Sequence, residues 1–420
     1  MKTTSIALLA SAALAAGGPE YQLHEWGTFT TVSGSDGVLL EGLQREEEQL
    51  PAFVQSHYGF ENSSNPNMKN YERLARLHGT AGYAEPGQKG LANRPLAGVT
   101  VKMETPVLYF HSPETFHAKV KVGFEGGTIS QWYPERSGGD TPPEPKPPAD
   151  PAKNPTPLKA WLLDFNKPYH GSIEWDVDVL SPADSAKQLL FKPSDSLSWV
   201  RARVPDTNVV RTSSGQTEGY LFYRGVGHFD PGLKTTVDNN EVIHLENRTG
   251  GTIPYLVAFE RMADGTLRWT ERRDAFTAGG SLDLPESAFK TEPEGFCEPI
   301  YRAVQSGLAG CGLTEAESHA MVQTWWRSYF EMRGLRVFWV LPRTATDRIL
   351  PLEVSPAPTS LVRVLVGRSE IFRPRHEQEW IAMKGASSET DVRWNQIVYS
   401  DRFGIPIQKR VEMLQQRAER

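Results

Sequence analysis

The sequence has no strong charge of either sign. Across 420 residues, 45 Lys and Arg stand against 51 Asp and Glu, a net charge of -6. That leaves no electrostatic footprint for nucleic acid or an acidic membrane surface, and both partner classes are excluded first. Long apolar runs are missing as well: after the first turns of chain, no segment reaches the roughly 20 apolar residues that span a bilayer. Cysteine is nearly absent, with only Cys297 and Cys311 present. No internal repeat of fixed period appears. Local signatures of catalysis are also lacking. There is no G-x-S-x-G elbow. The H-E-x-x-H zinc pattern fails because position 28 is Thr.

What is present begins with a secretory pattern over residues 1–16. Lys2 precedes an apolar run, and Ala13 and Ala15 supply the small residues that a signal peptidase needs. The run is too short for a membrane helix and no Cys follows it, so the expected product is an exported, unlipidated protein, periplasmic or extracellular. An oxidising compartment predicts that Cys297 and Cys311 form a disulfide, the alternative being two free thiols. The bridge has a geometric condition. Its Cα atoms must lie within about 7 Å, whereas an unbroken helix between the two cysteines holds them about 21 Å apart. Ile300, Val304 and Leu308 recur at helical spacing, so the bridge requires Gly307 and Gly310 to break that helix and fold the chain back.

Aromatics at 10%, with 31 Pro and 36 Gly, point to a β-rich chain with many turns. Period-two patterning dominates residues 20–278, with strands expected at 21–32, 101–111, 118–124, 158–164, 171–180, 199–203, 220–223, 241–246, 254–262 and 266–271. Asp264-Gly265 between the last two marks a hairpin. Residues 61–98 read as a polar excursion with a short helical candidate at 71–78. The proline-dense stretch 134–157 reads as a disordered loop within the domain rather than a linker, since similar strand patterns flank it. After residue 278 the pattern changes. Thr314 and Glu317 form a capping box before an aromatic helix that Gly334 ends. Apolar strands follow at 335–341 and 361–366, then helices at 374–383 and 406–420, the last one charged and exposed. The expected fold class is β-rich α+β: a large antiparallel β-sandwich-like domain over 20–278, followed by a smaller mixed α/β domain over 279–420.

The string LHEWGTFTTVSGSDG at 23–37 is the most distinctive local feature. With KMETPVLYFHSP, GGTISQWYP, FYRGVG and LVRVLVGR further along, the sequence resembles a family of exported bacterial proteins, uncharacterised in function, whose mature chains begin with a HEWGTFT-like string. The resemblance implies export and supplies no catalytic residue. Strand alternation sends His24 and Glu25 to opposite faces, so partners for His24 as a divalent-metal ligand must come from elsewhere. The candidates near strand ends are His111, His117 and His228.

In FYRGVGHFD, Arg224 is a candidate anion contact, weighed against a structural ion pair at a turn. Glu174, Asp176 and Asp178 alternate with apolar residues and read as a solvated strand face rather than a calcium site. Trp26, Trp132 and Tyr133, with Trp161 and Trp175, are candidate stacking groups for a sugar ring, Trp132 and Tyr133 being the most exposed candidates.

The leading expectation is therefore an exported binding or structural module at the cell envelope, with carbohydrate or an envelope polymer as partner and no cofactor. The alternative is a metal-dependent hydrolase built on scattered histidines. Convergence of His24, His111, Arg224 and His228 on one pocket would favour the enzyme, and dispersion would favour the module.

Overall fold

The computed structural model describes residues 18–43, 50–57, 96–142, 163–193, 196–204, 206–295, 297–384 and 388–419. The signal-like run, the helical candidate at 71–78 and residues 143–162, which hold most of the proline-dense stretch and the expected strand at 158–164, lie outside them.

A ten-stranded sheet organises the chain. From edge to edge its strands are Lys290–Glu292, Leu267–Arg272, Leu256–Arg261, Gly334–Val340, Ser360–Ile371, Gln22–Ser33, Val101–His111, Leu221–Gly227, Gly127–Tyr133 and Gln55–Ser56. The two central strands, Gln22–Ser33 and Ser360–Ile371, are parallel and in register over their full length, and the other neighbours are antiparallel.

One face of this sheet packs Leu23, Phe29, Met103 and Phe110 against a second sheet. That sheet is built on Phe116–Glu125 and His170–Val179, which supply Val120, Ile173, Trp175 and Val177. The His170–Val179 strand alternates buried and half-buried residues, and each fully buried apolar side chain contributes about 1.5–3 kcal/mol. The opposite face carries Trp26, Tyr109, Phe259 and Phe338 under Ile300, Val304, Met321 and Val322 of two helices, Glu298–Gly310 and Glu315–Thr324. The fold is thus β-rich α+β, a sandwich on one side of the large sheet and helices on the other.

Several local expectations need correction. The boundary at 279 does not divide the large sheet, because Gly334–Val340 and Ser360–Ile371 lie at its centre between strands from the amino-terminal part. The pairing of Ser360–Ile371 with Gln22–Ser33 joins residues more than 300 positions apart, such as Trp26 with Val364, and no local pattern encodes it. The strand expected at 199–203 is the helix Leu197–Arg201, started by Ser196, whose hydroxyl accepts the Trp199 N–H. The carboxy-terminal helix, Gly404–Ala418, is not simply exposed. It buries Ile407, Arg410 and Val411, and Arg410 pairs with Glu377 and Asp36.

The disulfide is overturned too: both cysteines are free. The helix Glu298–Gly310 runs unbroken between them, with Cys297 and Cys311 as its two end residues, so they stand about 21 Å apart at about 1.5 Å per residue. Gly307 serves close packing rather than a turn, since a Cβ there would lie 2.3 Å from the Tyr255 ring. Thiol titration of the unreduced, denatured protein is expected to find both cysteines reactive. Finding neither reactive would contradict the continuous helix.

Candidate metal centre

The site forms where the sheet meets the start of the Glu315–Thr324 helix. In the antiparallel pairing of Gln22–Ser33 with Val101–His111, Gln22 faces His111 and His24 faces Tyr109. His24 and His111 are therefore diagonal neighbours on one face, within reach of each other's side chains. Their ring centroids are 4.8 Å apart. Both lie on the helix-covered face with Trp26 and Tyr109, opposite to Glu25, as strand alternation requires.

The third member comes from the capping box. The Thr314 hydroxyl accepts the Glu317 N–H at 3.1 Å, and Glu317 Oε2 accepts the Thr314 N–H at 2.9 Å. The same carboxylate meets His24 Nδ1 at 3.0 Å through either oxygen and His111 Nε2 at 3.0 Å through Oε1. Among the described residues, His24, His111 and Glu317 form a group whose three donor atoms lie within 4.8 Å of one another.

Electrostatics make this a cation-seeking site. The Glu317 side chain is wholly buried, and burial alone would push its carboxyl up. Hydrogen bonds from His111 and His24, then from the Thr314 backbone, outweigh that and hold it at about 2. Its share of stability is complete above a pH of about 4.5 and is lost as pH falls through about 2. His111 Nδ1 lies 3.2 Å from the Asp206 carbonyl, which can only accept, so that nitrogen carries a proton. His111 Nε2 is left to the Glu317 carboxylate, and a metal ion between the two would take the place of the proton they share.

A divalent ion about 2.0–2.2 Å from each donor would set nitrogen and oxygen roughly 3.3 Å apart around a tetrahedron. The two nitrogen-to-carboxylate separations of 3.0 Å need open by only a few tenths of an ångström, whereas the widest separation in the group, up to 4.8 Å, must close towards the same value. Solvent reaches the group from the His111 side, whose side chain is 19% exposed against 6% for His24 and 0% for Glu317.

The other candidates disperse. His228 follows Gly227, which pairs with Val101, so it lies a strand length from His111, about 34 Å at about 3.4 Å per residue. It is hydrogen-bonded to Thr100 there. His117 is exposed and pairs with Asp176 and Asp178. Arg224 is buried and donates to Gln131 at 2.6 Å, and Glu174 and Asp176 pair with Lys121 and Lys119 across the strand.

The stacking groups are core residues, contrary to expectation. Trp26 and Trp175 are fully buried. Trp132 is covered by Arg136 and donates to Gln55, and Tyr133 packs between Phe53 and Trp199. The 50–57 segment that covers Trp132 and Tyr133 adds only a two-residue strand, too short to read from sequence. Trp161 lies outside the described residues.

No known family model matches the chain, and no curated protein sequence does either. Any reading of function therefore rests on the chemistry of the site. Glu317 was visible in the sequence only as a helix cap. A capping glutamate is ordinarily solvated, and its complete burial depends on which strand end the helix meets.

Proposed function

We propose that this chain is an exported metal-dependent hydrolase, with His24 Nδ1, His111 Nε2 and the Glu317 carboxylate as the three protein ligands of one divalent ion. The observation that carries the reading is the convergence of those three donors on one buried point with an opening on the His111 side. Two imidazoles and a carboxylate suit zinc, and three protein ligands leave a position for water. Held there, such an ion would supply Lewis-acid activation of a water and of the bond to be hydrolysed. The signal-like run over 1–16 and the resemblance to exported HEWGTFT-string proteins support a periplasmic or extracellular setting. The test is hydrolysis of p-nitrophenyl acetate and p-nitrophenyl phosphate before and after dialysis against a chelator. Activity lost on chelation and restored by zinc supports the reading, and activity that chelation leaves unchanged overturns it.

A second reading keeps the chain as an exported binding or structural module, in which the same three groups tie the helix to the sheet without metal. The full set of hydrogen bonds made by Glu317 favours it. Glu317→Gln separates the two. Glutamine also serves a capping box, and its amide can donate to His111 Nε2, so folding is expected to survive. Zinc affinity measured by titration calorimetry is expected to fall by about 10-fold or more, as loss of a direct ligand should exceed the effect of an outer one. Unchanged zinc affinity would favour the tie.

A further inference from the structure

The FYRGVGHFD string ends at a cleft that the metal centre does not use. Its volume is about 340 Å³, within the range of small-molecule pockets. It opens between the Ser33 end of the Gln22–Ser33 strand, the Ser369 end of Ser360–Ile371 and the small sheet strand Leu233–Val237. His24 lies near the other end of the first strand, about 30 Å away at about 3.3 Å per residue.

Its chemistry is uneven. The floor carries four hydroxyls, those of Thr31, Ser33, Thr235 and Ser369, on residues that are all at least nine-tenths buried. Ser33 and Thr235 are hydrogen-bonded at 3.1 Å, yet each hydroxyl has one donor and two acceptor sites, so the pair keeps capacity for a ligand. Lys234 and Arg248 stand on the wall with the Phe229 ring. Arg248 pairs with Glu246 at 2.5 Å, Glu246 also stands opposite Lys234 in the strand pairing, and Asp230 lines the same cleft, so an anion would compete with two carboxylates for Lys234 and Arg248.

We propose that this cleft binds a small hydroxylated anion, with its carboxylate or phosphate at Lys234 and its hydroxyls on the Ser and Thr floor. Charge and hydroxyl recognition are both required. The probes are sodium gluconate and glucose 6-phosphate, with uncharged sorbitol as control, titrated by calorimetry into the full chain in low salt. At least one anion is expected to bind more tightly than about 10 mM, and sorbitol about 10-fold more weakly. Lys234→Glu is expected to weaken the anion about 10-fold or more, and Thr31→Val to weaken it independently of charge. Binding is expected to persist in the presence of a chelator, which separates it from the metal centre. No binding by either anion, equal binding of sorbitol, or full retention in Lys234→Glu would overturn the proposal.

Discussion

His111→Ala is expected to abolish metal-dependent hydrolysis while leaving the fold intact. The substitution removes one of three ligands, and kcat/KM for whichever ester the native protein cleaves should fall by about 100-fold or more. The fold should survive at a moderate cost. His111 is the last residue of its strand, its side chain is partly exposed, and water can replace its contact with the Asp206 carbonyl, but it is also a hydrogen-bond partner of the wholly buried Glu317 carboxylate, which keeps His24 and the Thr314 N–H. Leaving a buried polar group short of one partner costs about 1–3 kcal/mol. Thermal unfolding monitored beside activity checks both parts. Activity that persists in the folded variant would remove His111 from the reaction, and a lost activity matched by unfolding would make its role structural.

Glu25→Ala, one residue from His24, should do the reverse and cost stability. Glu25 faces the other side of the sheet, where Oε1 accepts the Tyr223 hydroxyl at 2.6 Å and Oε2 accepts Arg363 Nε at 2.5 Å. The Arg363 guanidinium is 1% exposed and its remaining carboxylate partner is Asp347 at 2.8 Å. Removing Glu25 leaves that charge buried beside an unpaired phenol. Breaking such a pair from one side costs about 3–5 kcal/mol, whereas replacing both partners with apolar groups of similar volume is often nearly neutral. Urea unfolding is expected to show a loss of that size in Glu25→Ala and recovery of most of it in Glu25→Leu with Arg363→Met. A loss below about 1 kcal/mol would mean that the pair is solvated.

The contrast between these neighbours explains much of the HEWGTFT string. His24 reaches Glu317 and His111, and Glu25 the buried ion pair. Trp26 fills the core beneath the helices. Gly27 lies under Pro106, whose Cα would be 2.7 Å from any Cβ there. Thr28 donates to the Glu104 carbonyl, and Phe29 packs edge-on against Trp339. Strand alternation made the two faces legible in advance, together with the hairpin at Asp264-Gly265, where Gly265 has φ +86, and the capping box at Thr314.

What local pattern does not carry is which elements meet. The central position of Ser360–Ile371, the burial of Trp132 and Tyr133, and the arrival of Glu317 between His24 and His111 all depend on contacts distant in sequence. The glycines of the Glu298–Gly310 helix misled for a related reason. Their flexibility was legible, but the Tyr255 ring that needs the space at Gly307 comes from another part of the chain.

The most direct test is zinc stoichiometry. Protein saturated with zinc, freed of excess by gel filtration and analysed by mass spectrometry of the metal should hold one equivalent per chain, and His24→Ala with Glu317→Gln should hold almost none. A native chain that retains no zinc, or a double variant that retains a full equivalent, would contradict the centre at His24, His111 and Glu317.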